Sequence, residues 1–273
     1  MADDIRKLFK TLHSTAPFWS LRYVDETREQ LAVRQDTIEP PRLSLDRGAM
    51  LVAMTDGGYG YCATSDLSRA GLQAALDRAT AWADATRDGS VYRYAPGEMP
   101  QPKGERAAAN AGLSFSRSEL YDLLADECRN ARIDDRIVER YAALELRATE
   151  QLYLTNGGGD VHQAFAYTIP YAHVAANHGT ETQTRSFADA QQGGFERIAG
   201  SGFAGCGKRL ADEALQLLLA PNCPTGRMDL LLMPDQMMLQ IHESVGHPLE
   251  LDRILGDERN YAGTSFVTRD MFG

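Results

Sequence analysis

Two long runs of alternating polar and apolar residues meet at one glycine-rich turn, and no other feature constrains the fold as strongly. Leu144, Leu146 and Ala148 alternate with polar neighbours, and Leu152 and Leu154 continue the pattern. After Asn156-Gly157-Gly158-Gly159 the alternation resumes through Val161, Phe165, Tyr167, Ile169 and Tyr171. A period of two puts successive apolar side chains on one strand face, and an Asn-Gly turn tolerates the positive φ values a hairpin demands. The chain must therefore build an antiparallel sheet, and helices must cover its apolar side.

Helical periods supply that cover. Arg117 to Ala131 carries the stripe Leu120, Leu123, Leu124 and Cys128, and a second helix is expected from Lys208 to Ala220. Upstream, Ile5, Leu8, Phe9 and Leu12 mark a short amphipathic helix, followed by alternating segments around Trp19–Tyr23, Leu31–Val33 and Leu43–Leu45. Met50 to Met54, the turn Asp56-Gly57-Gly58 and Tyr59 to Thr64 read as a hairpin. Asp66 then caps a helix burying Leu72, Ala75, Leu76, Ala79 and Trp82. The class is α+β, with antiparallel sheets packed against helices. We divide the chain into an N-terminal region (1–92), a Pro- and Gly-rich linker (93–115), a middle region with the long hairpin (116–224), and the start of a further domain (225–273) opening on a buried strand, Met228 to Met233.

Composition removes several classes. With 273 residues, 43% of them hydrophobic and 24% charged, the chain is neither disordered nor in need of disulfides for a core. Its 28 basic against 38 acidic residues give a net charge of −10, which opposes nucleic-acid binding, since that draws its affinity from clustered Lys and Arg. No signal peptide or membrane-spanning run is recognisable, so a cytoplasmic protein with no membrane partner is expected. Cys62, Cys128, Cys206 and Cys223 are far apart and read as free thiols. Gly200-Ser201-Gly202-Phe203-Ala204-Gly205 fits G-x-G-x-x-G before a helix, but no strand precedes it, and it reads as a glycine-rich loop. His13, His162, His173 and His178 each stand alone in their segments.

The chemistry concentrates between Pro234 and Asp252. Pro234 and Asp235 suit a helix start, and Met237, Met238, Ile241 and Val245 recur on an expected buried face. That helix carries His242 and Glu243, with His247 following Gly246. Two imidazoles flanking a helical Glu resemble the H-E-x-x-H zinc site, in which Glu takes a proton from the metal-bound water. Here the second His comes one residue late. At 3.6 residues per turn, positions five apart lie about 140° apart, so a regular helix cannot converge the two rings. Either Gly246 and Pro248, which disfavours the α region at His247, distort the helix end, or a π-turn with an i→i+5 hydrogen bond returns His247 beneath His242. Glu250 and Asp252 are candidates for a third ligand or for fixing the imidazole tautomers.

His242-Glu243-Ser244-Val245-Gly246-His247, extended by Leu249-Glu250, Asp252 and Ala262-Gly263-Thr264-Ser265-Phe266, resembles the H-E-x-x-x-H signature of TldD/PmbA-family metallopeptidases. The resemblance implies zinc held by His242 and His247, Glu243 as catalytic base, and cleavage of peptides or unstructured polypeptides inside a homo- or heterodimer with a TldD/PmbA-type chain. It also implies a third ligand, a cysteine in a β-rich domain beyond Gly273, so that this chain is the N-terminal and middle part of the enzyme. The rival expectation is a non-catalytic partner subunit with an incomplete metal site. Pro248 and the stretch from Arg253 to Tyr261 depart from the commoner pattern and suggest a separate subfamily.

Overall fold

The computed structural model describes residues 1–89, 93, 95–107, 116–257 and 259–272. Helix α1 (Ala2–Phe9) leads into β1 (Phe18–Arg34), β2 (Thr37–Ile38), β3 (Arg42–Thr55) and β4 (Gly58–Thr64), followed by α2 (Arg69–Thr86). After β5 (Lys103–Ala107) and α3 (Arg117–Asn130) come the hairpin strands β6 (Ile137–Thr155) and β7 (Asp160–His178). The chain continues through β8 (Glu181–Ala188), β9 (Gln191–Gln192), α4 (Glu196–Ser201), α5 (Cys206–Leu219), α6 (Pro234–Ile241) and α7 (Leu251–Leu255).

Among the described residues the strands form one nine-stranded sheet, ordered β4-β3-β1-β6-β7-β5, with β2 also pairing with β1 and β8 and β9 with β7. The expected hairpin is present, with Leu154 opposite Asp160 and Leu144 opposite Pro170, and Gly158 takes φ +97° in its turn. Alternating segments that read as separate strands merge into the 17-residue β1, which pairs with β3 on one side and β6 on the other. At ~3.3 Å per residue such a strand is about 55 Å long, too long for one pair of helices to cover. Two cores on the same face result. Near the start of β1, α1 and α2 bury Ile5, Leu72, Leu76 and Ala79 against Leu21, Tyr23, Leu51 and Leu152. Near its end, α3 and α5 bury Leu120, Leu124 and Leu210 against Leu31, Val33, Leu144 and Val174.

Several local readings change. Ser68, not Asp66, caps α2 through a hydrogen bond from Gly71 N–H, while the Asp66 carboxylate accepts from Ser68 N–H. Trp82 is exposed rather than buried. The close side of α2 is instead seated on Gly58 and Gly60, where an added Cβ would fall 1.9 Å from Ala83 O and 2.2 Å from Ala79 O. Within the stretch read as a linker, Lys103–Ala107 forms β5, parallel to the start of β7; residues 94 and 108–115 of that stretch lie outside the described residues. His162, which stood alone in the sequence, lies between Glu105 (Nδ1 to Oε1, 3.4 Å) and Glu150 (Nε2 to Oε1, 3.0 Å).

The expected buried strand at Met228–Met233 is absent: these residues form no ladder, and Leu230 and Leu231 are 79% and 86% exposed. The face of α6 expected to be buried, Met237, Met238 and Ile241, is exposed as well. Apolar side chains bury only against a complementary surface, and no described element packs on this one. Among the described residues no helix is long and apolar enough to cross a membrane.

Candidate metal centre

The glycine-rich segment before α5 can be dismissed as a phosphate cradle. A helix N-terminus attracts anions because its first N–H groups lack partners. Here Glu127, reaching across from α3, accepts Gly205 N–H at 2.6 Å and Gly207 N–H at 2.8 Å. The anion site is filled by the protein's own carboxylate. Beside it, burial first and the Glu127 charge second push the Cys206 thiol up to about 12, and burial pushes Cys128 up to about 11. Neither is a ready thiolate.

The His-Glu-His segment is built by a change of helix type. Pro234 opens α6 and Asp235 stands in its positive first turn. The α-helical pattern ends at Ile241, and His242–Gly246 forms a π-turn in which His247 N–H bonds His242 C=O, i→i+5. Of the two distortions the spacing allows, the chain uses this one. Gly246 keeps ordinary helical angles (φ −60°, ψ −60°), and so does His247 (φ −61°, ψ −42°) despite the proline that follows. Pro248 acts differently: lacking an N–H, it cannot continue the hydrogen-bond ladder, and it enters the short 3₁₀ turn His247–Leu249.

The π-turn brings the three side chains together. One ligand atom from each of His242, Glu243 and His247 lies within 4.8 Å of the others, and among the described residues this is the one such group. The two imidazoles meet edge to face at 4.4 Å between centroids, and His247 Nε2 lies 3.6 Å from Glu243 Oε2. His242 and Glu243 are exposed, while the His247 side chain is 28% exposed. None of the four cysteines joins the group.

Glu250 meets the sequence expectation by contact with His247, its Oε1 lying 2.6 Å from Nδ1. A carboxylate can only accept, so Nδ1–H donates to Glu250 and the lone pair lies on Nε2, 3.6 Å from Glu243 Oε2. The hydrogen bond from His247, aided by Arg253, holds the Glu250 carboxyl below its ordinary range. Asp252 plays no such part: its carboxylate accepts from Arg253 N–H and its carbonyl from Gly256 N–H. Arg253 escaped the sequence reading. Its signal was the i,i+3 spacing from Glu250 on a helix start, where Arg253 Nε donates to Glu250 Oε2 at 2.6 Å. The Ala262–Phe266 stretch returns to the turn through Ser265, whose hydroxyl donates to Pro248 C=O at 2.6 Å.

The donors fit zinc: two imidazoles match its nitrogen preference, Glu250 fixes one ring from behind, and Glu243 stands beside them without being needed as a ligand. Glu250→Ala should accordingly lower zinc affinity by roughly 10–100-fold with little change in folding, as read by competition against a chromogenic chelator. An unchanged affinity would remove Glu250 from the site.

Comparisons with known proteins agree with this fold. The family model for PmbA/TldA metallopeptidase domain 1 matches residues 19–83, from β1 through α2, well away from the histidines. A curated Methanothermobacter thermautotrophicus protein named metalloprotease is 23% identical over 254 residues, spanning 93% of this chain and 55% of its own length. In fold, the chain is similar to a proposed modulator of a DNA gyrase from Thermotoga maritima (TM-score 0.60, 16% identity, 82% of this chain and 49% of that one). TldE from Thermococcus kodakarensis is similar too (TM-score 0.56, 15% identity, 79% and 47%). The chain thus spans about half the length of the proteins it matches. The N-terminal match to this family's domain model and the metalloprotease-named relative, together with a fold shared with TldE, support a TldD/PmbA family assignment.

Proposed function

We propose that this chain carries the zinc-binding half-site of a cytoplasmic metallopeptidase that hydrolyses peptides or unstructured polypeptides. The observation that carries the reading is the π-turn: it sets His242 and His247, five residues apart, on one side of the helix with Glu243 beside them. His242 and His247 would hold the ion, each through one ring nitrogen. Zinc, when bound, supplies Lewis acidity that makes water more acidic and a carbonyl more electrophilic. Glu243 takes the proton of the attacking water as its oxygen adds to the scissile carbonyl carbon, then returns that proton to the departing amine nitrogen as the C–N bond breaks. By family, the enzyme works as a dimer with a second TldD/PmbA-type chain, and the remaining ligand is a cysteine supplied from outside the present sequence.

Metal analysis of the purified natural-length protein tests this. About one zinc per chain is expected, with nearly complete loss in His242→Ala and in His247→Ala. A zinc-free natural protein would favour the non-catalytic subunit instead, and full zinc in both variants would place the metal elsewhere.

A further inference from the structure

One edge of the sheet is only half covered. The β3–β4 ladder begins at Ala49 opposite Thr64, so the outer side of Arg42–Gly48 has no strand beside it among the described residues. At its other end the slot is closed by Pro40-Pro41. There the pairing to β1 slips by one residue between Ile38, opposite Val33, and Arg42, opposite Gln30. Free edges are normally blunted by charge, proline or a bulge; these seven residues hold no proline or bulge, and of their charges Arg47 is already paired with Asp25, leaving Arg42 and Asp46. Instead Leu43 and Leu45 stand 60% and 70% exposed on the face that carries both cores. Arg42 reaches only Glu39, at 4.0 Å, and Asp46 has no ion partner among the described residues.

We propose that this slot is a homotypic docking edge, on which Arg42–Asp46 of a second copy adds antiparallel and continues the sheet across a two-fold axis. The register follows from symmetry. An isologous contact makes residue i face j and j face i, so one residue of β3 must lie on the axis. With Ser44 on the axis, Leu43 faces Leu45 twice and Arg42 faces Asp46 twice, so every pair is matched in polarity or charge. Leu45 on the axis would oppose Leu43 to Arg47, Asp46 on the axis would oppose two like charges, and Leu43 on the axis would run Leu45 against Pro41. In the Ser44 register the five matched residues lie inside the slot, with Pro41 of one copy beside Arg47 of the other at each end of the paired stretch. The inference rests on the dimeric reading given above and names a surface for it, without depending on the metal.

The test uses natural-length protein carrying Cys223→Ser to remove the exposed thiol. Under mild oxidation Ser44→Cys should give a covalent dimer, Arg42→Cys alone should not, and Arg42→Cys with Asp46→Cys should again cross-link. Arg42→Glu should raise the dimer dissociation constant about tenfold or more, and Arg42→Glu with Asp46→Arg should restore it, which a folding defect would not. A dimeric mass with no Ser44→Cys cross-link and no response to Arg42→Glu overturns the proposed edge while leaving the dimer standing. A monomeric mass at all concentrations overturns both, and zinc content measured on the same samples keeps the metal reading separate.

Discussion

Glu243→Gln is expected to lower peptide hydrolysis by roughly 10²–10⁴-fold while zinc stays near one per chain. The amide keeps the size and the hydrogen-bonding reach of the carboxylate but cannot take up a proton, so only the proton-transfer role is removed. The structure places this side chain where that role is possible, with Oε2 3.6 Å from His247 Nε2 on the open side of the turn. The comparison is internal: His242→Ala loses metal and activity together, whereas Glu243→Gln loses activity alone. Turnover by Glu243→Gln within threefold of the natural protein would assign the base elsewhere.

The second large effect concerns the scaffold. Glu127 is 3% exposed, yet its two oxygens are both engaged by backbone N–H groups at the start of α5. Gly207 is part of the same contact, because an added Cβ there would fall 2.2 Å from Glu127 C=O, so α3 and α5 touch backbone to backbone. Removing the carboxylate strands the buried Gly207 N–H, while Gly205, on the exposed side, can turn to water. Glu127→Ala should therefore cost about 1–3 kcal/mol, read as a lower urea midpoint at unchanged slope. Glu127→Gln should lie between, since its amide oxygen can still accept one bond while its NH₂ opposes the other donor. A loss under about 1 kcal/mol in Glu127→Ala would mean that water replaces the carboxylate.

Legibility in the sequence followed the range of the interactions. The β6–β7 hairpin, the α3 stripe around Cys128 and the helix at α5 were readable because each rests on a local period and a local turn. The joining of Trp19–Tyr23 and Leu31–Val33 into one strand was not. Its middle, Asp25 to Glu29, is polar on both faces, and only pairing to β3 and β6 keeps it extended. Glu127 was hidden for the same reason: a glutamate on a helix reads as a solvated face unless the glycines of a segment 78 residues away are known to meet it. Met228–Met233 erred in the opposite direction, since apolar composition signals a need for cover and not its presence.

The geometry of the candidate metal site was legible in kind. The five-residue spacing of His242 and His247 demanded a break in helical geometry, and the i→i+5 bond from His247 N–H to His242 C=O is one of the two anticipated forms. The role given to Pro248 was misjudged, because sequence statistics weigh the strain a proline puts on its predecessor more heavily than the N–H it lacks. Arg253 was missed because its partner Glu250 was itself only a candidate.

A diffraction experiment at the zinc absorption edge on crystals of the natural-length protein tests the central claim most directly. One anomalous peak is expected about 2.0–2.1 Å from a ring nitrogen of His242 and from a ring nitrogen of His247, with the π-turn intact between them. A regular α-helix that sends the two rings to opposite sides, or a zinc peak that touches neither histidine, would contradict it.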